Sequence, residues 1–247
     1  MKWKTAISAV NNGNEIVRGY RLHDLMAKKT FTEVIFLTLR GQLPSAAETN
    51  VLNTVLNSMI DHGPGVASAH VARFTSSTGN NLYSSIAAGI LALGGSRHGG
   101  ALEGAAKFFQ ENIETKDLSG LLKKLKEQKM RVPGFGHRVL THDARTDVSF
   151  SVAQNNGIFG KYCAFAQKVE EELNLHSSKI VPINNDGANA AILLDMGFAP
   201  AMIGGFFIIG RATGLVAEVY EEMSSGEGLR RIDEEDVEYV GEKDKNI

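Results

Sequence analysis

The sequence predicts an all-α protein with one small β element at its N-terminus. Three observations carry that expectation. Only five prolines occur in 247 residues, so little interrupts helix formation. Apolar residues recur at helical spacing, most plainly Val51, Leu52, Val55, Leu56, Met59 and Ile60. Strand-like and helix-like segments do not alternate as βαβ units would, and the chain shows no internal repeat and no low-complexity linker.

In chain order, Ile7, Val10, Ile16 and Val17 flank the turn Asn11-Asn12-Gly13-Asn14 and predict a short β-hairpin within residues 4–20. A short helix over 22–28 follows, then one capped by Thr30 and stopped at Gly41. Ser45 with Glu48 three residues on is a capping box that opens the stripe just described. That helix ends at Asp61-His62-Gly63-Pro64-Gly65, and an Ala/Ser-rich helix spans about 66–76. Residues 82–93 are almost wholly apolar or small, which suits the centre of the protein or a subunit interface. Helices are expected from His98 to about 111, over 118–130, 159–173 and 188–196, and finally over 201–222. The stretch 141–151 reads as polar, and Asp233-Glu234-Glu235-Asp236 as capping or solvating the last turn.

Composition narrows the classes of function. A net charge of −2 offers no basic excess for nucleic acid. Cys163 is the single cysteine, which excludes an intrachain disulfide. No stretch approaches twenty apolar residues, and Met1-Lys2-Trp3-Lys4 leads into no signal-peptide core. The expectation is a cytoplasmic protein that meets neither membrane nor nucleic acid.

Three glycine-flanked stretches concentrate chemistry. In Gly94-Gly95-Ser96-Arg97-His98-Gly99-Gly100 an imidazole stands before a helix, where the dipole disfavours its protonation. A neutral imidazole there can donate to a developing oxyanion, and the glycines would let a substrate reach the backbone. A tight helix corner with His98 bound to a carbonyl explains the same residues. Gly134-Phe135-Gly136-His137-Arg138 reads either as a turn presenting His137, with free backbone N–H groups, or as a surface loop. Asp186, in Asn184-Asn185-Asp186-Gly187, is a general base or, read alone, more simply an N-cap. His62 serves a site or the end of its own helix. Arg211, inside an apolar helix, demands an anion. There is no GxSxG elbow, dinucleotide fingerprint, phosphate loop or HExxH motif. A 2-His-1-carboxylate centre is the one metal arrangement the residues allow, and the reading adopted takes no metal.

Taken together and in order, these stretches resemble the citrate synthase superfamily, most closely the citryl-CoA lyase module at the end of ATP citrate lyase. The resemblance rests on Gly19-Tyr20-Arg21-Leu22-His23-Asp24-Leu25, Phe31-Thr32-Glu33-Val34, Gly41-Gln42-Leu43-Pro44, residues 61–70 and residues 99–107. It implies a citrate synthase-like helical fold with a large domain (1–100 and 196–247) and a small one (101–195). It implies that His98 holds an acetyl-CoA enolate, that His137 acts on the hydroxyl or keto oxygen of the four-carbon acid, and that Asp186 moves the proton on the acetyl carbon. His62, Arg145 and Arg211 would bind substrate carboxylates, with Arg231 donated by a neighbouring subunit. Val132, Gly134, Phe135 and Gly136 would hold the adenine of coenzyme A.

The implied reaction is cleavage of citryl-CoA to acetyl-CoA and oxaloacetate; the alternative is condensation of acetyl-CoA with oxaloacetate or a related 2-oxoacid. A binding subunit without turnover is a third reading. The implied partners are a second copy, as a homodimer or dimer of dimers, and a citryl-CoA synthetase. One helix alone joins Leu43-Pro44 to Asp61-His62, as in the lyase module, whereas a histidine at position 98 is like the synthases. Arg145 stands one residue closer to His137 than in typical synthases.

Overall fold

The computed structural model describes residues 2–136, 142–175, 177–242 and 245. Among them, the chain begins with a three-stranded antiparallel meander, β1 (Ser8–Asn11), β2 (Asn14–Val17) and β3 (Tyr20–Arg21), one strand more than the expected hairpin. Asn12 and Gly13 both take positive φ, +48° and +75°, as a two-residue hairpin turn requires. Arg18 ties this sheet to the helices, its Nε donating to the Thr38 carbonyl at 2.9 Å.

Eleven helices follow among the described residues: α1 (Leu22–Lys28), α2 (Phe31–Arg40), α3 (Ala46–Ser58), α4 (Ala67–Ser77), α5 (Leu82–Leu93), α6 (Gly100–Asn112), α7 (Leu118–Glu127), α8 (Ala144–Asn155), α9 (Lys161–Leu175), α10 (Asn185–Asp195) and α11 (Pro200–Ser225). Local chemistry sets several ends as the residues foretell. Thr30 with Glu33 and Ser45 with Glu48 form reciprocal capping boxes, and Gly41 closes α2 in the left-handed conformation at φ +82°.

One helix goes unassigned in the sequence, and one expectation needs correction. The polar stretch 141–151 is largely helix: α8 starts at Ala144, capped by Asp143, whose carboxylate accepts from the Arg145 N–H. The acidic segment caps nothing on α11, which ends at Ser225; residues 234–236 form a separate exposed 3₁₀ turn.

The core is organised on α10 and α11. Nine of the eleven residues of α10 are buried, and α10 packs on α6, α8 and α9. α11 packs on α4, α5 and α6. It is long and apolar enough to cross a membrane by length and composition, contrary to the sequence-based expectation, but half of its apolar window is buried within this fold. Its polar residues are matched locally: Glu218 and Glu222, both buried, receive Arg73 from α4 at 2.6 and 2.9 Å. Edge-to-face rings pin the ends of the helices together, Phe198 lying 5.5 Å from Phe36 and 4.7 Å from Phe206. One face of α5 is buried against α4 and α11, while Tyr83 and Leu91 on its other face are over 80% exposed.

Removing the Ser45 hydroxyl (Ser45→Ala) is expected to cost about 1 kcal/mol, as for other N-caps. Phe206→Ala, at a site with no exposed surface, should cost about 3–5 kcal/mol. Urea denaturation of the two variants checks both the magnitudes and their order.

Candidate active site

A cavity of about 170 Å³ opens where the end of α3, the turn before α6 and the starts of α8 and α10 meet α11. His62, His98, Arg145, Asp186 and Arg211 all line it. Its size suits a small acid rather than a drug-sized ligand, whose pockets run to roughly 300–1,000 Å³.

His98 lies in the turn before α6, its carbonyl accepting from the Ala101 N–H. The glycines around it serve packing more than access: a Cβ on Gly99 would meet Phe207 at 2.5 Å and the Leu93 carbonyl at 2.7 Å. The imidazole itself is fixed by Ser68, a wholly buried residue of α4. Arg211 donates to Ser68 Oγ at 3.3 Å, and Ser68 Oγ lies 2.8 Å from His98 Nε2. The Ser68 N–H also points at that nitrogen, at 3.4 Å. Because a backbone N–H can only donate, the Nε2 lone pair faces Ser68, and the serine hydroxyl proton turns the same way. Nε2 is therefore the acceptor and Nδ1 carries the hydrogen. Burial, Arg211 and His62 together hold the His98 pKa below the usual histidine range, so the ring is a neutral donor.

Arg211 is 3% exposed. Its Nε donates to the Met59 carbonyl at 2.9 Å, just past the end of α3, and its guanidinium lies 5.2 Å from the Phe207 ring. The C-terminal end of α3 thus supplies partial negative charge. Among the described residues no carboxylate lies within ion-pair distance of Arg211; Asp61 and Asp186 favour its charge from further away, against the burial that lowers its pKa.

Arg145 is held differently. Nε and Nη2 grip both oxygens of Asp143 at 3.0 and 2.8 Å, and Nη1 reaches His62 Nδ1 at 3.3 Å. Burial pushes the Asp143 carboxyl up, but Arg145 and the N–H of Asn185 outweigh it and hold the pKa below the usual range. Asp143 is thus a fixed anion that aims Arg145.

Asp186 is not the N-cap of α10. That role falls to Asn184, whose Oδ1 accepts from the N–H groups of Asp186 and Gly187. Asp186 instead occupies the first turn and lines the cavity. Burial lifts its pKa to about 6, against the pull of Arg145 and Arg211 and with some push from Asp143.

Asn184 also joins the glycine loop to this site. Its N–H donates to the Gly134 carbonyl and its Nδ2 to the Gly136 carbonyl, beside the bridge between Phe135 and Ile183. Gly134 (φ +83°) lies where any Cβ would meet the Gly187 Cα and the Ala105 side chain. The expected free N–H groups are not all free, since Gly136 donates to the Pro182 carbonyl at 2.7 Å. Beyond the loop opens a larger groove, about 1070 Å³, lined by Val132, Phe135 and Gly136 but not Gly134. Lys123, Lys129, Arg131 and Lys179 stand around it, residues that as sequence look like an ordinary wet face.

His137 lies outside the described residues. Arg231 is exposed in the segment after α11 and does not line the cavity; its neighbour Arg230 is the one bound within the chain, to Glu222 at 2.7 Å. Ser68, Asp143 and Asn184 escape a sequence reading. Ser68 looks like a small packing residue, while Asp143 and Asn184 carry only the weak signal of a polar cap ahead of a helix.

The fold and this cavity define a helical protein of a known class. Residues 45–232 match the family described as citrate synthase, C-terminal domain, and the chain belongs to the citrate synthase family. Among solved structures it is similar to citryl-CoA lyase from Hydrogenobacter thermophilus, with 42% identity and a TM-score of 0.92, over 99% of this chain and 97% of that one. It is also similar to Methanosaeta concilii ATP citrate lyase, solved as a mutant in complex with (3S)-citryl-CoA, with 26% identity and a TM-score of 0.88 over 98% of this chain and 42% of that one. The Arabidopsis thaliana ATP-citrate synthase beta chain protein 1 is 28% identical over 244 residues, 91% of this chain. This chain spans 38% of the length of that relative.

In nitrogen-15 NMR at pH 7.5, His98 is expected to show a protonated Nδ1 and a bare Nε2, and to titrate below the ordinary histidine range. Ser68→Ala should scramble that tautomer preference. A protonated Nε2 in the wild type would contradict the Ser68 assignment.

Proposed function

We propose that the protein is a citryl-CoA lyase that cleaves citryl-CoA to acetyl-CoA and oxaloacetate. The observation that carries this reading is the convergence of a neutral imidazole donor, a carboxyl group with a pKa near 6 and two arginines in one small cavity. The similarity to the Hydrogenobacter enzyme along nearly the whole of both chains supports it.

In the proposed reaction Arg145, Arg211 and His62 bind the carboxylates. His137 takes the proton of the tertiary hydroxyl. The alkoxide oxygen forms the ketone of oxaloacetate while the C–C bond breaks, and its electron pair moves into the thioester as an enolate. His98 Nδ1–H donates to that oxyanion, and Asp186 gives its proton to the carbon. The work is done by oriented donors and cations in an enclosed site. Coenzyme A would lie in the larger groove, its adenine against Val132, Phe135 and Gly136 with Gly134 shaping the loop, and its phosphates facing the surrounding lysines and Arg131. No metal enters these steps.

Several further points belong to the same proposal. Residues 1–100 with 196–247 form a large domain and 101–195 a small one, the Arg145–His62 contact crossing between them. The open faces of α5 and α11, with Tyr83, Leu91, Tyr220 and Met223, pack in a homodimer, itself able to pair, and Arg231 completes the site of the second copy. A citryl-CoA synthetase supplies the substrate, and the reaction is cytoplasmic. Condensation of acetyl-CoA with oxaloacetate is the second reading, favoured by the same His98 donor, which serves an enolate in either direction.

A coupled assay separates the two directions. Oxaloacetate and acetyl-CoA should form from citryl-CoA, and Asp186→Asn should lower kcat by about 10²–10⁴-fold. The pH dependence follows from the raised pKa: cleavage uses the protonated acid and falls as pH rises through about 6, whereas condensation uses the carboxylate and rises there. An absence of products from citryl-CoA, with free coenzyme A released from acetyl-CoA plus oxaloacetate, would favour the second reading. Leu91→Glu should convert the dimer to a monomer in sedimentation velocity.

A further inference from the structure

Two of the buried residues of α10 are asparagines, and its other buried residues are Gly, Ala, Ile and Leu. Asn189 has no exposed surface and Asn185 has 5%. They lie one helical turn apart on one face, and both reach Ser58, the last residue of α3. Asn189 Nδ2 donates to Ser58 Oγ at 2.8 Å, and Asn185 Nδ2 to the Ser58 carbonyl at 3.4 Å. Ser58 spends its own hydroxyl proton on the Val55 carbonyl, at 2.8 Å. Its Oγ can therefore only accept from Asn189, and the orientation of that amide is fixed. Both asparagine Oδ1 atoms are left buried without a partner.

Such an arrangement opposes stability. A buried amide oxygen without a donor costs about 1–3 kcal/mol, and an apolar side chain of similar size would avoid that. Polar pairs of this kind set register, because only one alignment satisfies the donors. Register matters here because Asp186 adjoins Asn185, and Ser58 and Asn185 both line the cavity.

We propose that Ser58 and Asn189 are a positioning pair for catalysis: their hydrogen bond fixes the axial register of α10 against the end of α3, and so sets where the Asp186 carboxyl stands in the cavity. The proposal rests on the lyase reading only for the role of that carboxyl. The groups that face Asp186 are Arg145 and Asp143 from α8 and Arg211 from α11, with His98 and His62 across the cavity. A shift in register changes its distance to all of them and its exposure to water.

The test is a carbon-13 NMR titration of the Asp186 carboxyl, assigned by its loss in Asp186→Asn, in the full chain. In Asn189→Leu the titration is expected to move down from about 6 by about one unit or more, as the carboxyl becomes wetter. The melting temperature should hold or rise, because one unpaired acceptor is gone. Cleavage kcat should fall about tenfold with KM within about twofold, the mark of a misplaced reacting group. Ser58→Ala should give the same shift and serves if Asn189→Leu does not fold; the double variant should add nothing. An unchanged Asp186 titration in the single variants, or shifts that add in the double variant, overturns the proposal whatever the activity. A wild type without cleavage activity counts against the lyase reading alone.

Discussion

Everything in the site depends on one buried cation. Arg211 stands within an apolar helix, and what touches it is neutral: the Met59 carbonyl, the Ser68 hydroxyl and the face of Phe207, while Asp61, Asp186 and Glu218 favour its charge from beyond ion-pair distance. A guanidinium so placed holds its charge ready for a ligand anion, because the low-dielectric surroundings strengthen whatever attraction it offers. It does two further things. It donates to Ser68, whose N–H and hydroxyl both face His98 Nε2, and its field helps keep that imidazole neutral. By lying near Asp186 it limits how far burial can raise the pKa of the carboxyl.

His98 and Asp186 are both pushed toward their neutral forms by their surroundings. His98 is discharged by burial and nearby cations, whereas Asp186 is drawn toward neutrality chiefly by burial, with some push from Asp143. The second arginine is treated in the opposite way, since Arg145 is clamped by Asp143 and keeps only Nη1 turned toward His62. One arginine is thus aimed by a carboxylate and the other is left for an anion. Asn184 links this cavity to the coenzyme-sized groove, capping α10 on one side and binding the backbone of the glycine loop on the other.

Much of the fold is legible in the sequence where the physics is local. Thr30, Ser45 and Gly41 determine helix ends through bonds to residues three or four positions away, and the Asn12-Gly13 turn determines the hairpin. α8 is not legible, because Arg145, Thr146, Asp147 and Ser149 give it no apolar stripe; tertiary contacts make it a helix, among them the bond from Thr146 Oγ1 to the Ile183 carbonyl. The same division runs through the site. Arg211 betrays itself, since a charge amid Phe, Ile and Gly has no solvated alternative. Ser68, Asn184 and the Asn189–Ser58 bond do not, because each acts on a partner far away in sequence and each residue type has a commonplace reading. Asp186 shows both sides: its place at a helix start is readable, but the cap belongs to Asn184, and burial rather than capping defines its chemistry.

If Arg211 is a binding cation and not a structural one, its loss must weaken the binding of small carboxylates. Calorimetric titration of oxaloacetate and of citrate into the wild type and into Arg211→Met measures this. The wild type is expected to bind both, with affinity weakened by at least roughly 30-fold in the variant, while the variant stays folded by circular dichroism. Equal binding by the two proteins would contradict it.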